Sequence, residues 1–345
     1  MSAFRLNKVL LIRLSSIGDI ILCTPMLRAI KQAFPECEVH FLTRKEFAPL
    51  LLHDPHIDHL LSMDTEEGRT GLAAMNLALM REQYDAVFDL HNNFRSRTLR
   101  NGTSARIHHV DKRVFRRLLL VWMKWNRYGE SVPVPQRYIE TALRYGIRAD
   151  TAGPRLYPPD ESYLEVRLKL RTAGMDPSQP AKGICPGAKH ATKRWPAAHY
   201  VELARRLAGD GQHLLLFGSK EDVDTAAEIK RAAPQFVHDL TGRLSLMETA
   251  AAMRHCQLII ANDSGLMHMA TAMKVPVIAL FGSTVREFGF FPYHSPAAVL
   301  EVDGLPCRPC THIGRARCPE DHFACLRAIG VEDVLAAIGL LDASS

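Results

Sequence analysis

A single aspartate stands where the first apolar run of this chain breaks. The stretch from Leu10 to Pro25 reads LLIRLSSIGDIILCTP, and the run from Lys8 to Leu14 stops at Ser15-Ser16-Ile17-Gly18-Asp19. A lone carboxylate beside a glycine at such a turn can accept a proton from an attacking hydroxyl. It can equally cap the helix that follows. It is a poor element of a phosphate cradle, which uses backbone N–H groups and glycines, and no G-x-G-x-x-G accompanies it.

The second half carries the opposite chemistry. CPGAKHATKRWP, NDSGLMH and FGST each follow an apolar run. Gly187, Ala188 and Gly265 permit close backbone approach, and a helix opening at Ser264 would direct free N–H groups at an anion. Lys193 and Arg194 add full charges, a combination suited to a diphosphate. Singly, these residues read more plainly. Glycines serve βα turns, Lys193 and Arg194 suit a solvated surface, Trp195 packs, Asp263 caps a helix and His268 sits in a core. Asp222-Val223-Asp224 has the spacing of a D-x-D metal site but reads as solvated charge at a helix start.

The elements that would position these residues alternate between strand and helix. In the first half, strands are expected at Val9–Leu14, Val39–Thr43, Ala86–Leu90 and Ala105–Val110. Helices are expected at Pro25–Phe34, Gly71–Glu82 and Val114–Trp125. The first helix could start at Thr24-Pro25 or at Gly18-Asp19 with a kink at Pro25. A Pro-rich stretch around residues 132–162 reads as the interdomain linker, with one helical piece near Tyr138–Tyr145. Beyond it, strands are expected at Gly183–Pro186, His213–Phe217, Leu258–Ala261 and Val275–Phe281. Helices are expected at Ala197–Ala208, Glu221–Ala232 and Leu266–Met273. Continuous apolar runs such as LIIAN and VPVIALFG predict parallel sheets covered on both faces. The class is α/β, with two Rossmann-like units in series.

At 345 residues, two domains are the natural expectation. No apolar run approaches the roughly 20 residues of a spanning helix. Arg13 and Asp19 interrupt any apolar leader, and eight cysteines without a secretion signal suggest a reducing cytosol. The net charge is +6, and residues 1–150 hold 22 basic against 16 acidic residues while the remainder is balanced at 21 each. Within that half, Arg95, Arg97, Arg100, Arg106, Lys112, Arg113, Arg116, Arg117, Lys124 and Arg127 face a single acid, Asp111. Such a surface suits a polyanionic partner. Near the C-terminus, Cys307, Cys310, Cys318 and Cys325 are spaced C-x2-C-x7-C-x6-C. Four thiolates could hold a structural zinc, or remain free thiols or an incidental disulfide.

In this order and spacing, RLSSIGD, YDAVFDLHNNFRS, PGAKHATKRWP, DLTGRLSLMETAAAM and NDSGLMHMATAMKVPVIALFG resemble glycosyltransferase family 9, the lipopolysaccharide heptosyltransferase family. The resemblance runs from about Lys8 to Leu341. It implies a GT-B fold with parallel sheets facing a central cleft, an acceptor domain over 1–165 and a nucleotide-sugar donor domain over 166–325. Residues 326–345 would form a last helix that could return to the first domain. It further implies an inverting, metal-independent transfer of heptose from ADP-heptose to a lipopolysaccharide core, with no cofactor. Asp19 matches the family's catalytic base and Lys193 its phosphate-binding lysine. Gly187, Ala188, Thr192, Glu221, Asp263, Ser264, Gly265 and His268 fall to the donor side, Glu221 for the ribose. Ser16, Gly18, Arg95, Arg113, Arg116 and Arg117 fall to the acceptor side. The expected place is the cytoplasm, peripheral to the inner membrane and held there by charge, with Leu118–Trp122 packing inside or touching lipid, packing being the favoured reading. Two other readings stay in view. One is a nucleotide-sugar 2-epimerase on the same fold. The other is a nucleic-acid-binding protein that uses the basic stretch with Phe94, Phe115, Trp122 and Trp125 as stacking platforms.

Overall fold

The computed structural model describes residues 5–64 and 66–343. Its contacts divide the chain into two compact units, Met1–Lys112 with Pro133–Tyr157, and Arg113–Val132 with Pro158–Ser345.

The first unit is built on five parallel strands. The elements run β1 (Lys8–Ile12), α1 (Ile17–Ile21), α2 (Thr24–Ala33), β2 (Glu38–Arg44), β3 (His59–Met63), α3 (Gly68–Arg81), β4 (Ala86–Asp89), α4 (Phe94–Arg100) and β5 (Arg106–His109). The sheet order is β3-β2-β1-β4-β5. The chain winds outward from β1 in one direction and then crosses to β4, so its topological switch point lies between β1 and β4. Loops after those two strands therefore border the crevice where open α/β sheets bind ligands. In place of one helix starting at either point there are two: α1 starts at Ile17 and ends at Ile21, and α2 begins at Thr24 with Pro25 in its first turn. The sequence gives little sign of β3, because this edge strand is only partly buried and lacks apolar alternation.

The chain then leaves this unit for α5 (Val114–Leu118), which continues as a π-helical turn over Leu119–Met123. It rejoins the unit at α6 (Val134–Glu140). The excursion is tied to the second unit. Leu120 and Tyr128 pack with Phe288, and the Lys124 ammonium donates to the carbonyls of Cys307 (3.1 Å) and Pro309 (2.7 Å). Asn126 donates to Glu287 at 2.7 Å and Ser131 to the Arg286 carbonyl at 2.7 Å. Basic residues from Arg113 onward thus belong to the second unit, contrary to their expected place in the first.

The second unit continues with α7 (Asp160–Thr172), β6 (Ala181–Cys185), α8 (Ala197–Gly209), β7 (His213–Leu216), α9 (Val223–Ala232) and β8 (Val237–Asp239). It ends with α10 (Leu246–Met253), β9 (Cys256–Asn262), α11 (Gly265–Ala272), β10 (Val277–Phe281), β11 (Ala297–Glu301), α12 (Ala324–Arg327) and α13 (Val331–Asp342). Its six parallel strands are ordered β11-β10-β9-β6-β7-β8, with the switch point between β6 and β9. Gly183 in β6 is required there: a Cβ would meet Ile259 Cδ1 at 2.2 Å and Phe217 at 2.9 Å. The unit starts earlier than residue 166 because α7 packs against α10. The C-terminal helix also departs from expectation. Val334, Ala337 and Ile338 of α13 join the core formed by Tyr200, Leu203, Ile278 and Leu280, so α13 packs on the sheet of its own unit. Among the described residues no helix is long and apolar enough to cross a membrane.

Candidate active site

Asp19 sits in the third position of α1, just past the end of β1 at the first unit's switch point. Its carboxylate is held from two sides. Oδ1 pairs with the Arg13 guanidinium at 2.6 Å and accepts from the Tyr138 hydroxyl at 3.3 Å. Oδ2 accepts from the Ser16 hydroxyl at 3.0 Å and the Ser16 amide at 3.4 Å. Arg13 is itself fixed by donating to the carbonyls of Ser15 (2.7 Å) and Leu90 (2.6 Å). Burial pushes the Asp19 carboxyl up, but the Arg13 guanidinium and the Ser16 hydrogen bonds outweigh it and the net shift is downward. The group is therefore ionised at neutral pH. Its side chain keeps 18% of its surface exposed, so it caps the helix and still offers lone pairs to a ligand. Gly18 is buried behind it and Ser16 is exposed beside it.

A second carboxylate ends β4. Asp89 is fully buried and accepts from the amides of His91 (3.1 Å) and Asn92 (2.6 Å) and from the Ser96 hydroxyl (2.9 Å). Its capacity is spent ordering the β4–α4 loop. That loop presents His91, which burial first and then Arg13 hold down to about 3, so its imidazole is neutral. His91 Nδ1 is buried without a hydrogen-bond partner. Sequence reasoning passed over Arg13, His91 and Tyr138, whose spacing of 78 and 47 residues carries no local signal. Arg95 lies exposed on α4.

If Asp19 must be ionised to work, Arg13 governs the acid side of the activity profile. Replacing Arg13 by Gln leaves burial less opposed, so the Asp19 pKa rises. The acid limb of kcat/KM should then move to higher pH than in the parent protein. Superimposable acid limbs in paired pH profiles would remove Arg13 from this role.

In the second unit, the loops after β6, β9 and β10 converge on neighbouring strand ends. Asn262, fully buried, is their hub. Its Oδ1 accepts from the Trp195 amide (3.0 Å) and the Tyr200 hydroxyl (3.1 Å), while its Nδ2 donates to the Pro186 carbonyl (2.8 Å). This fixes the 186–195 loop against the end of β9. Lys193 then pairs with Asp263 Oδ2 at 2.6 Å, and the same oxygen accepts from Thr284 at 2.6 Å. Thr284 is held in turn by Arg308, whose guanidinium donates to the Gly282 and Thr284 carbonyls at 2.8 Å each.

Several expected donor residues have structural employment. Thr192 exchanges hydrogen bonds with the Arg315 backbone. Arg194 donates to the Ala188 carbonyl at 2.6 Å and approaches Asp222 at 3.8 Å. Asp222 is buried, not solvated. It accepts from the Ser219 amide and hydroxyl at 2.9 Å each, and a Cβ on Gly187 would strike its carboxylate at 2.4 Å. Glu221 is exposed on the turn after β7. Trp195 packs, as expected.

What remains are uncommitted donors and a helix N-terminus. Ser264 precedes α11, caps it with no side-chain bond, and has a buried hydroxyl without a partner. Ser283 likewise has a buried, unpartnered hydroxyl. The α11 amides from Gly265 onward open here, and buried His268 lies one turn along. Arg117, from the excursion, belongs to the same unit. Burial holds the nearby His312 down to about 4, and Arg117 and Lys193 both add to that shift. Arg117 Nε is buried without a partner. Two cations, a helix N-terminus and unused hydroxyls can together hold a diphosphate.

The metal question has a plain geometry. Among the described residues, the metal-capable side chains whose ligating atoms gather within 4.8 Å are Glu38, His40 and His59. They lie at the starts of β2 and β3, and Glu38 Oε1 is already 3.3 Å from the Lys8 ammonium. Cys307, Cys310, Cys318 and Cys325 are free thiols that line one small cavity with His322, Thr192 and Ser283.

Residues 72–320 match the model of glycosyltransferase family 9 (heptosyltransferase). The chain is 30% identical over 296 residues to lipooligosaccharide heptosyltransferase 2 of Haemophilus influenzae, covering 81% of this chain and 84% of that one. It superposes on a family 9 glycosyl transferase from Veillonella parvula with a TM-score of 0.83, at 22% identity and 100% coverage of both chains. It also superposes on ADP-heptose lipopolysaccharide heptosyltransferase II of Escherichia coli, with a TM-score of 0.72 at 26% identity, covering 97% and 98%.

Proposed function

The chain belongs to glycosyltransferase family 9, the heptosyltransferase family, and from that premise we propose that it transfers heptose from ADP-heptose to a lipopolysaccharide core acceptor with inversion. The single observation that carries the mechanism is the division of chemistry between the two switch points. One holds an ionised, partly exposed carboxylate, and the other holds an array that fits a diphosphate. In this reading Asp19 takes the proton from the acceptor hydroxyl as its oxygen bonds to the anomeric carbon. The bond from that carbon to the phosphate oxygen breaks, and ADP departs with the added negative charge. Lys193, Arg117 and the α11 amides at Ser264-Gly265 stabilise that charge. Asp263 orients Lys193, and His268 and Ser264 meet the sugar or phosphate. Glu221 binds the ribose. No metal is required, so activity should survive EDTA. Manganese- or magnesium-dependent recovery after chelation would overturn that point.

On the acceptor side, Ser16 and Gly18 frame Asp19. Exposed Arg95 of the first unit, and Arg113 and exposed Arg116 of the second, suit the phosphates and carboxylates of an inner core. Such an acceptor is lipid-linked, and in this reading the enzyme works at the cytoplasmic face of a membrane. The deciding assay incubates the protein with ADP-heptose and truncated core acceptors and weighs the products. A mass gain of one heptose supports the reading, and sugar released or rearranged without transfer overturns it.

Arg117 moves from the acceptor list to the donor list because it belongs to the second unit and its buried Nε has no partner. Arg117→Gln should weaken ADP binding by about tenfold to a hundredfold, the range for a hydrogen bond to a charged group. Calorimetry giving parental ADP affinity would return Arg117 to a purely structural role.

A further inference from the structure

The excursion between the two passages of the first unit carries a feature that the transfer reaction does not use. Over Val114–Met123 the chain forms ten continuous helical residues, with Leu120 turned into the second unit. The opposite face is apolar and open to solvent. Phe115 is 73% exposed and Trp122 72%, with Leu118 between them at about half. These three recur at intervals of three and four, which aligns them on one side of a helix. Val114, Met123 and Trp125 flank them, each about half exposed. The expected burial of Leu118 and Trp122 does not hold: in this run Leu120 is buried, Leu119 and Val121 are partly so, and Leu118 and Trp122 are exposed.

The charge around this face is of one sign. From Lys112 to Gly129 there are six basic residues and no acid. Arg116 and Arg127 are exposed in the same segment, and the Arg127 guanidinium lies over the Trp125 ring at 6.0 Å. The Lys124 ammonium is committed to backbone carbonyls and fixes the end of the helical run to the second unit. The ridge is therefore anchored at its base while its apolar crest is uncovered. Tryptophan and phenylalanine beside arginine, on an amphipathic helix lying along a surface, is the composition that settles at the boundary between lipid headgroups and acyl chains. Base stacking would use the aromatic rings but leaves Leu118, Met123 and Val114 without purpose, so the surface favours lipid over nucleic acid.

We propose that Phe115, Leu118 and Trp122, with Met123 and Trp125, insert into an anionic bilayer surface and dock the second unit on it. The charge of Arg116 and Arg127 guides the approach, and apolar insertion holds it. This rests on the lipid-linked acceptor proposed above but replaces a purely electrostatic contact with an inserted one.

The test uses the full chain with vesicles of phosphatidylcholine alone and with 30% phosphatidylglycerol (about that fraction, typical of an anionic surface). Some of the lipid carries brominated acyl chains. The protein has three tryptophans, and Trp195 is buried in the core. Quenching on vesicle binding therefore reports Trp122 and Trp125. The expected result is binding to anionic vesicles that quenches fluorescence and persists in part at high salt. Phe115→Ser/Leu118→Ser/Trp122→Ser should lower vesicle affinity by roughly a hundredfold or more, from the apolar area withdrawn. Its thermal midpoint and ADP affinity should stay at parental values. Binding without quenching that vanishes at high salt would overturn insertion, as would equal binding by the triple variant, no binding at all, or preference for a single-stranded oligonucleotide. Transfer to a de-acylated core acceptor separates the two readings. If transfer occurs without vesicle binding, only docking fails. If vesicles bind with quenching but no heptose is transferred, only the proposed reaction fails.

Discussion

Asp19→Asn should lose about a hundredfold or more in turnover, the scale expected when a general base is removed, while ADP affinity stays at the parental value. The difficulty is that Asp19 also has structural work. It neutralises Arg13 at 2.6 Å and accepts from Ser16 in the first turn of α1. An asparagine leaves Arg13 without its counter-charge, so some stability should be lost too. The double variant Arg13→Gln/Asp19→Asn separates the two roles, because it removes both charges together. A structural role alone predicts that turnover recovers with the thermal midpoint. The proton-accepting role predicts that the midpoint recovers and turnover does not. Restored turnover in the double variant, or near-parental turnover in Asp19→Asn, would sink the assignment.

The sheet architecture was legible where strands are buried on both faces. The runs at Val9–Leu14, Val39–Thr43 and Val275–Phe281 mark β1, β2 and β10 to within about two residues at most ends. Exposed or short elements left no such mark: β3, β8 and β11 lie toward or at sheet edges, where apolar periodicity is weak. The candidate site was legible only in its local parts. Asp19 and Lys193 stand out beside turn glycines and a tryptophan. The groups that set their chemistry come from elsewhere in the chain: Arg13 and Tyr138 for one, Asp263 and Thr284 for the other. The excursion shows the limit most clearly. Its residues follow β5 in sequence, yet Phe288, Glu287 and the carbonyls of Cys307 and Pro309 hold it to the second unit. No sequence period records such a return, and the assignment of Arg117 changed with it.

Lys193 offers the second large effect, and its ion pair decides how to measure it. The ammonium has three donors. One goes to Asp263 at 2.6 Å, which leaves two for phosphate oxygens. Lys193→Met should weaken ADP binding by about tenfold to a hundredfold, since hydrogen bonds to charged groups are worth about 1.5–3 kcal/mol. Affinity for adenosine, which lacks the phosphates, should not change. The same substitution also strands Asp263, a buried carboxylate that keeps only its bond from Thr284. Its repulsion toward an incoming diphosphate would by itself weaken ADP. Lys193→Met/Asp263→Asn removes that repulsion. If Lys193 binds the leaving group directly, the double variant remains weak for ADP and slow in transfer. If the loss came only from the exposed charge of Asp263, the double variant regains ADP affinity, and the stabilisation of the departing diphosphate must be assigned to Arg117 and the α11 amides instead.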